Sequence, residues 1–121
     1  MNRWQFLKEA FMRENIPVRY KKLAQQLGRI STLLCDIATT ENIPAVMTEA
    51  MFFIEWIAPE VGLDWQLELL ELQRLLAQWK YDWATIQPDH SRRQLLAEQA
   101  TDWARRVAKI SEVLQFTKEV A

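Results

Sequence analysis

The chain contains very few of the residues that make turns. Only two glycines and four prolines occur in its 121 positions. Proteins built from many short strands need frequent turns rich in glycine and proline. We therefore expect few structural elements in this chain, each of them long.

Several classes of site are excluded by what is scarce. The single histidine, His90, cannot supply the repeated ligands of a di-iron or zinc centre. The two glycines, Gly28 and Gly62, lie too far apart to form a phosphate-binding loop. No nucleophile has a partner at a recognisable spacing. We therefore predict a protein that is not an enzyme and that carries neither a cofactor nor a metal ion.

Cysteine, charge and long apolar runs are equally limited. One cysteine, Cys35, excludes an internal disulfide and suits a reducing compartment; we expect its thiol to be a small buried apolar group. No apolar run reaches the roughly 20 residues that span a bilayer, and a Lys-Glu pair at 8–9 interrupts any signal-peptide core. We predict a cytoplasmic protein that does not enter a membrane.

Apolar residues recur at alternating steps of three and four in four blocks, which is typical of one buried face on a helix. These blocks predict helices over residues 17–38, 43–58, 64–85 and 90–117. Short connections make neighbouring helices antiparallel. We therefore predict an all-α fold, an antiparallel up-down-up-down four-helix bundle.

A short amphipathic helix is predicted to precede the bundle, over residues 3–13. It places Trp4, Leu7 and Phe11 on one face. The prediction is a single domain over residues 1–121, in which 1–15 form a helical arm and 17–117 form the bundle.

Helix ends are predicted from polar and turn-forming residues. Asn42 and Asp64 stand where side-chain N-caps are needed. Gly62 is placed to end the second bundle helix in the left-handed conformation. Ser91 with Gln94 has the spacing of a capping box at the start of the last helix.

The stretch AMFFIEWIA, residues 50–58, has one charge in nine residues, so this helix has hardly any polar side. At 100° per residue, Phe52 and Trp56 point away from the core. On the next helix Leu67, Leu70 and Tyr81 also point outward. An antiparallel hairpin brings Leu67 and Leu70 to the same end as the two aromatics. We predict a partner-binding site formed by five residues: Phe52, Trp56, Leu67, Leu70 and Tyr81.

Either of two covers would hide this apolar surface: the N-terminal helix of the same chain, or a protein partner, which includes a second copy forming a homodimer. Residues 1–29 hold seven basic and two acidic side chains, whereas residues 30–73 hold eight acidic and no basic ones. Opposite charges orient docking, so the pattern favours the N-terminal helix. Because that helix is short, both covers can coexist.

Two other functions fit particular residues. One is a hydrophobic-ligand pocket in the core, lined by Trp79, Trp83 and Trp103. The other is a nucleic-acid-associated subunit that uses the basic side chains of the last helix: Arg92, Arg93, Arg105 and Arg106. The net charge of −1 and the acidic residues interleaved on that helix weigh against nucleic acid.

Overall fold

The computed structural model describes the backbone of residues 2–120 and the side chains of residues 2–117. Met1 and Ala121, which the predicted domain includes, lie outside the described residues. Within them the chain is all-helical and no strand occurs, which confirms the predicted class. The helices are α1 (Arg3–Met12), α2 (Ile16–Cys35), α3 (Ile43–Ile57), α4 (Leu63–Tyr81), α5 (Trp83–Ile86) and α6 (His90–Val120), and a 3-10 turn (Ala58–Glu60) joins α3 to α4.

Asparagine side chains start the first three helices. The Oδ1 of Asn2 accepts a hydrogen bond from the backbone N–H of Gln5 at 2.8 Å, and the Oδ1 of Asn42 accepts one from Ala45 at 3.1 Å. Asn15 caps α2 in the same way. Each cap satisfies one of the N–H groups that a helix N-terminus leaves unpaired.

Three of the predicted helix ends are wrong. Gly62 has φ −69° and ψ 168°, and it is the N-cap of α4, so Asp64 lies inside the first turn. The chain leaves α3 through the 3-10 turn and an extended Val61, a path that needs no left-handed residue. At α6 the N–H of Arg92 donates to the Oδ1 of Asp89, so Asp89 takes the capping role predicted for Ser91.

The predicted helix over residues 64–85 is interrupted at Asp82, which has φ −89° and ψ 6°. Its carboxylate accepts hydrogen bonds from Gln78 at 2.8 Å and from Arg92 at 3.3 Å. Aspartate favours such local polar contacts over a helix interior. The four-residue α5 follows and turns the chain toward α6.

The two long helices α2 and α6 pack antiparallel along most of their length. Near one end the Ser31 hydroxyl donates to the carbonyl of Ala97 at 2.8 Å. Near the other end the Ser111 hydroxyl donates to the carbonyl of Pro17 at 2.6 Å. Residues early in α2 therefore meet residues late in α6.

Helix α3 packs on α2 and on α4, and one glutamine marks each contact, Gln26 buried and Gln73 half-buried. The Nε2 of Gln26 donates to the carbonyl of Val46 at 3.1 Å. The Nε2 of Gln73 donates to the carbonyl of Met51 at 3.3 Å. This pairwise packing is compatible with the predicted bundle. The core between the four long helices holds many fully buried aliphatic side chains, among them Leu23, Leu27, Ile30, Met47, Ile57, Leu72, Leu76 and Val107.

Candidate functional site

The outer face of α3 is covered by α1 of the same chain. Trp4 packs on Phe52 with ring centroids 4.7 Å apart. Phe11 stacks on Phe53 at 4.4 Å and lies 5.6 Å from Trp56. Phe11 is only 1% exposed, although it belongs to a helix at the surface. The apolar side of α1 therefore packs against the aromatic side chains of α3. This is the arrangement expected if the N-terminal helix of the same chain covers that surface.

An ion pair also joins α1 to α3, with the basic side chain on α1 and the acidic one on α3, as the charge pattern of the sequence predicts. The Nη2 of Arg3 lies 3.5 Å from the Oε2 of Glu49 on α3. This pair is largely exposed on the arginine side, so it orients α1 more than it stabilises it.

A buried arginine ties the end of α1 to the body of the protein. Arg19 is 6% exposed. Its Nη2 donates to the carbonyl of Met12 at 3.0 Å, and its Nε donates to the carbonyl of Glu14 at 2.9 Å. Its Nη1 pairs with the carboxylate of Glu60 in the 3-10 turn. One side chain thus joins the α1–α2 connection to the α3–α4 connection.

The outer face of α4 stays open. Leu72 and Leu76 define its buried side, and the residues on the opposite side follow steps of four and three along the helix. The leucines at the start of that outer stripe are 69%, 56% and 54% exposed (Leu63, Leu67 and Leu70), and Tyr81 at its end is 87% exposed. Arg74 and Ala77 lie between them and are also exposed.

The structure therefore divides the predicted five-residue site. Phe52 and Trp56 are half-buried beneath α1, whereas Leu67, Leu70 and Tyr81 face outward on α4. Helix α3 meets α1 through its aromatic side and α4 through the side that carries Met51. Leu63, which belongs to the same outer stripe of α4, is absent from the predicted site, although its spacing of four from Leu67 marks it.

The three tryptophans proposed as a ligand pocket do not line a common cavity. Trp79 is buried in the core. Trp103 lines an open groove of about 600 Å³ between α4 and α6, where the guanidinium of Arg106 lies 4.0 Å from its ring centroid. Trp83 lines a different cavity of about 350 Å³, beside the loop that precedes α3.

The four arginines considered for nucleic acid are engaged within the chain. Arg92 pairs with Asp82 at 3.3 Å, Arg105 with Asp102 at 3.5 Å, and Arg106 with Glu68 at 2.5 Å. Their partners dilute the positive field that phosphate contacts require.

Arg93 is a structural residue that sequence reasoning assigned to the surface. It is 5% exposed, and its guanidinium faces the C-terminus of α2. Nε donates to the carbonyl of Leu34 at 2.9 Å, and Nη2 donates to the carbonyls of Leu33 at 3.0 Å and Asp36 at 3.3 Å. The carbonyls of Leu33 and Asp36 also accept backbone N–H groups, from Asp36 and Thr39 respectively. The C-terminal end of a helix carries negative partial charge, which favours a cation there. Arg93 therefore caps α2 and holds α6 against it.

Two buried polar atoms lack a hydrogen-bond partner within the described residues: the hydroxyl of Tyr20 and the Oε1 of Gln73. Burial, with a smaller contribution from the nearby Glu68 carboxylate, raises the pKa of Tyr20 to about 12. Tyr20 is thus held neutral in the core, where its ring also meets the edge of Trp65 at 6.5 Å.

His90 and Cys35, the two side chains with the most reactive chemistry, line one small cavity of about 40 Å³ with Leu34 and Gln94, and no hydrogen bond joins them. Both are exposed, so the expectation of a buried thiol is wrong. Cys35 is the last residue of α2, where the helix face that carries it turns outward. Among the described residues, no group of three His, Cys, Asp or Glu side chains is placed to hold a metal ion.

None of the helices described for residues 2–120 combines the length and the apolar character needed to cross a bilayer. Comparison with protein-family models, with curated proteins and with solved structures gives no match to this chain.

Proposed function

We propose that this chain is a non-enzymatic protein–protein interaction module that docks through the outer face of α4. The frame that presents this face is an up-down-up-down four-helix bundle of α2, α3, α4 and α6, with α1 packed on α3. An exposed free thiol suits a reducing compartment, so we place the protein in the cytoplasm.

The observation that carries the proposal is the row of three exposed leucines, Leu63, Leu67 and Leu70, on one side of a regular helix. Single exposed apolar residues are ordinary, but a contiguous row is typical of an interaction surface. Burying one large apolar side chain contributes roughly 1.5–3 kcal/mol. Three leucines in a row therefore provide a substantial driving force for docking.

The spacing also indicates what kind of surface fits. Residues at alternating steps of four and three form a narrow seam along a helix, which is the pattern that a second helix packs against. Tyr81 extends the seam and offers the aromatic anchor that is enriched at binding hot spots. The favoured partner element is therefore an amphipathic helix.

The arginine and aromatic side chains that could form a nucleic-acid surface or a ligand pocket make contacts within the chain. This favours a docking surface on α4 over either alternative. Arg19 and Arg93 hold helix ends together. Trp4, Phe52 and Trp56 form one contact inside the chain. Among the described residues, the leucine row on α4 has no such internal contact.

Photo-cross-linking tests the proposal. Benzoylphenylalanine is placed at Leu67 in one variant and at Leu95 in a matched control, because Leu95 on α6 is 54% exposed and thus close to the 56% of Leu67. On irradiation in cells of the native source, we expect a discrete covalent adduct from Leu67, with another protein or with a second copy, and none from Leu95. Identical behaviour of the two positions would refute the proposed function.

A further inference from the structure

The outer stripe of α4 contains features that select its partner. It consists of six exposed positions separated by steps of four, three, four, three and four: Leu63, Leu67, Leu70, Arg74, Ala77 and Tyr81. The stripe spans 18 residue steps, or about 27 Å of helix. Three leucines lie at its N-terminal end, Arg74 lies in the middle, and Ala77 followed by Tyr81 lie at its C-terminal end.

We propose that this stripe binds the same stripe of a second copy, with the two α4 helices antiparallel about a two-fold axis. This inference rests on the proposed function and names its partner. A two-fold axis placed between Leu70 and Arg74 puts Leu67 opposite Ala77 of the second copy. It also puts Leu63 opposite Tyr81 of the second copy. A two-fold interface must be self-complementary in this way.

Packing is well matched in this register. Leu67 is large and Ala77 is small, so the pair fills the space between two helix axes without a gap or a clash. Leu63 meets the ring of Tyr81, which keeps its hydroxyl at the solvated end of the seam. Leu70 lies against the aliphatic stem of Arg74. Each pair occurs twice, once on either side of the axis.

Charge decides between antiparallel and parallel pairing. In a parallel pair, Arg74 would face its own copy and two guanidinium groups would repel each other across the seam. In the antiparallel pair, Arg74 lies beside Glu71 of the second copy, close to the axis. Both side chains are exposed, and neither forms an ion pair with another described residue. Both are therefore available for pairing between copies.

The rest of the molecule leaves room for this approach. Helix α1 packs on the aromatic side of α3, away from the side of α3 that meets α4. The seam is one helix wide, so the contact falls at the low end of interface sizes. We therefore expect a dimer that forms at roughly 10–100 μM rather than at nanomolar concentration.

Sedimentation equilibrium of the full chain, from about 5 to 500 μM, tests the dimer. We expect the mass to rise from monomer to dimer over this range, and Leu70→Glu to weaken association at least tenfold. The matched control Leu95→Glu adds the same charge to an equally exposed leucine, 54% in both cases, and should leave association unchanged. Circular dichroism confirms that each variant is folded.

Charge reversal tests the register without removing apolar surface. Arg74→Glu puts like charges beside the axis and should weaken the dimer about tenfold. Adding Glu71→Arg to the same chain restores opposite charges and should return association to within about threefold of the wild type. A double variant no better than the single one would overturn the antiparallel register.

A short bis-maleimide provides an independent check in a Cys35→Ser background. Leu67→Cys chains mixed with Ala77→Cys chains should cross-link, whereas Leu67→Cys chains alone should not, because their thiols are separated by about 15 Å along the axis. Efficient cross-linking of Leu67→Cys alone would show a parallel pair and overturn the proposal.

The proposal and the proposed function fail in different ways. A chain that stays monomeric at 500 μM, while Leu67 photo-cross-links to a different protein, overturns the second-copy proposal and leaves the docking function intact. A dimer insensitive to Leu70→Glu overturns the proposal by placing the contact elsewhere. A monomer without any cross-link from Leu67 overturns both.

Discussion

Replacing Arg93 by methionine separates its two interpretations, a phosphate-binding surface residue and an internal helix cap. Arg93 is 5% exposed, and its guanidinium donates to four backbone carbonyls, those of Leu33, Leu34, Asp36 and Gln87. Methionine keeps the apolar stem but removes every donor. Hydrogen bonds to a charged group contribute roughly 1.5–3 kcal/mol each, and they are not additive.

The expected cost is lower than the sum of these bonds, because removing a buried charge also removes its desolvation penalty. We expect Arg93→Met to lower the free energy of unfolding by about 3–4 kcal/mol, a large part of the 5–15 kcal/mol typical of a domain. For a chain of this length, that corresponds to a fall in melting temperature of roughly 12–16 °C.

Thermal and urea unfolding followed by circular dichroism measure this change. Arg92→Met is the matched control, because the Arg92 side chain is 39% exposed and its one ion pair among the described residues is with Asp82 at 3.3 Å. That variant should lose less than about 1 kcal/mol. Equal melting temperatures for the two variants, or a loss of nucleic-acid retention specific to Arg93→Met, would refute the capping role.

Three further predictions follow from the core and from α1. Phe11→Ala should release α1 and raise amide hydrogen exchange there at least tenfold, because Phe11 is 1% exposed, whereas Phe6→Ala on the exposed face should not; equal exchange in both variants would contradict the cover. Arg19→Met should lower stability by about 2–4 kcal/mol and also loosen α1, through the lost donors to two carbonyls; an unchanged urea midpoint would argue against that tie. Burial raises the pKa of Tyr20 to about 12 from 10, so the neutral form stabilises the fold below pH 10, and up to about 3 kcal/mol is lost as pH rises from 10 to 12. Tyrosinate absorbance in a Tyr81→Phe background measures this, and a midpoint near 10 while the chain is still folded would contradict it.

The helices were predictable because their buried faces repeat every three or four residues, a pattern that depends on neighbouring sequence alone. The cap at Asn42 was predictable for the same reason, since an N-cap bonds to an N–H three residues ahead. The prediction that Gly62 ends α3 in the left-handed conformation was wrong because the neighbouring residues permit two backbone paths out of the helix. The 3-10 turn at Ala58–Glu60, which a local pattern does not distinguish, determines which exit the chain takes.

The contact between α1 and α3 was only half predictable. Amphipathic spacing and opposite charge indicated that Trp4 and Phe11 suit the α3 aromatics, but either one chain or two can bring such faces together. The roles of Arg19 and Arg93 were out of reach. Their acceptors are mainly backbone carbonyls, which every residue has, so residue identity does not mark them. Those of Arg93 are also distant in sequence, and those of Arg19 come within reach only through the turn between α1 and α2. Both arginines therefore resemble ordinary surface charges until the helices are placed.

The account depends most on α1 covering α3 within one chain, because without that cover the aromatic side chains of α3 would be open together with the leucine row of α4. Nuclear Overhauser contacts between the rings of Phe11 and Phe53, whose centroids lie 4.4 Å apart, test this directly in a mixture of isotope-labelled and unlabelled chains. We predict that these contacts appear within labelled chains and are absent from the spectrum filtered for contacts between chains. Contacts found only between chains, or no contact at all, would contradict the account.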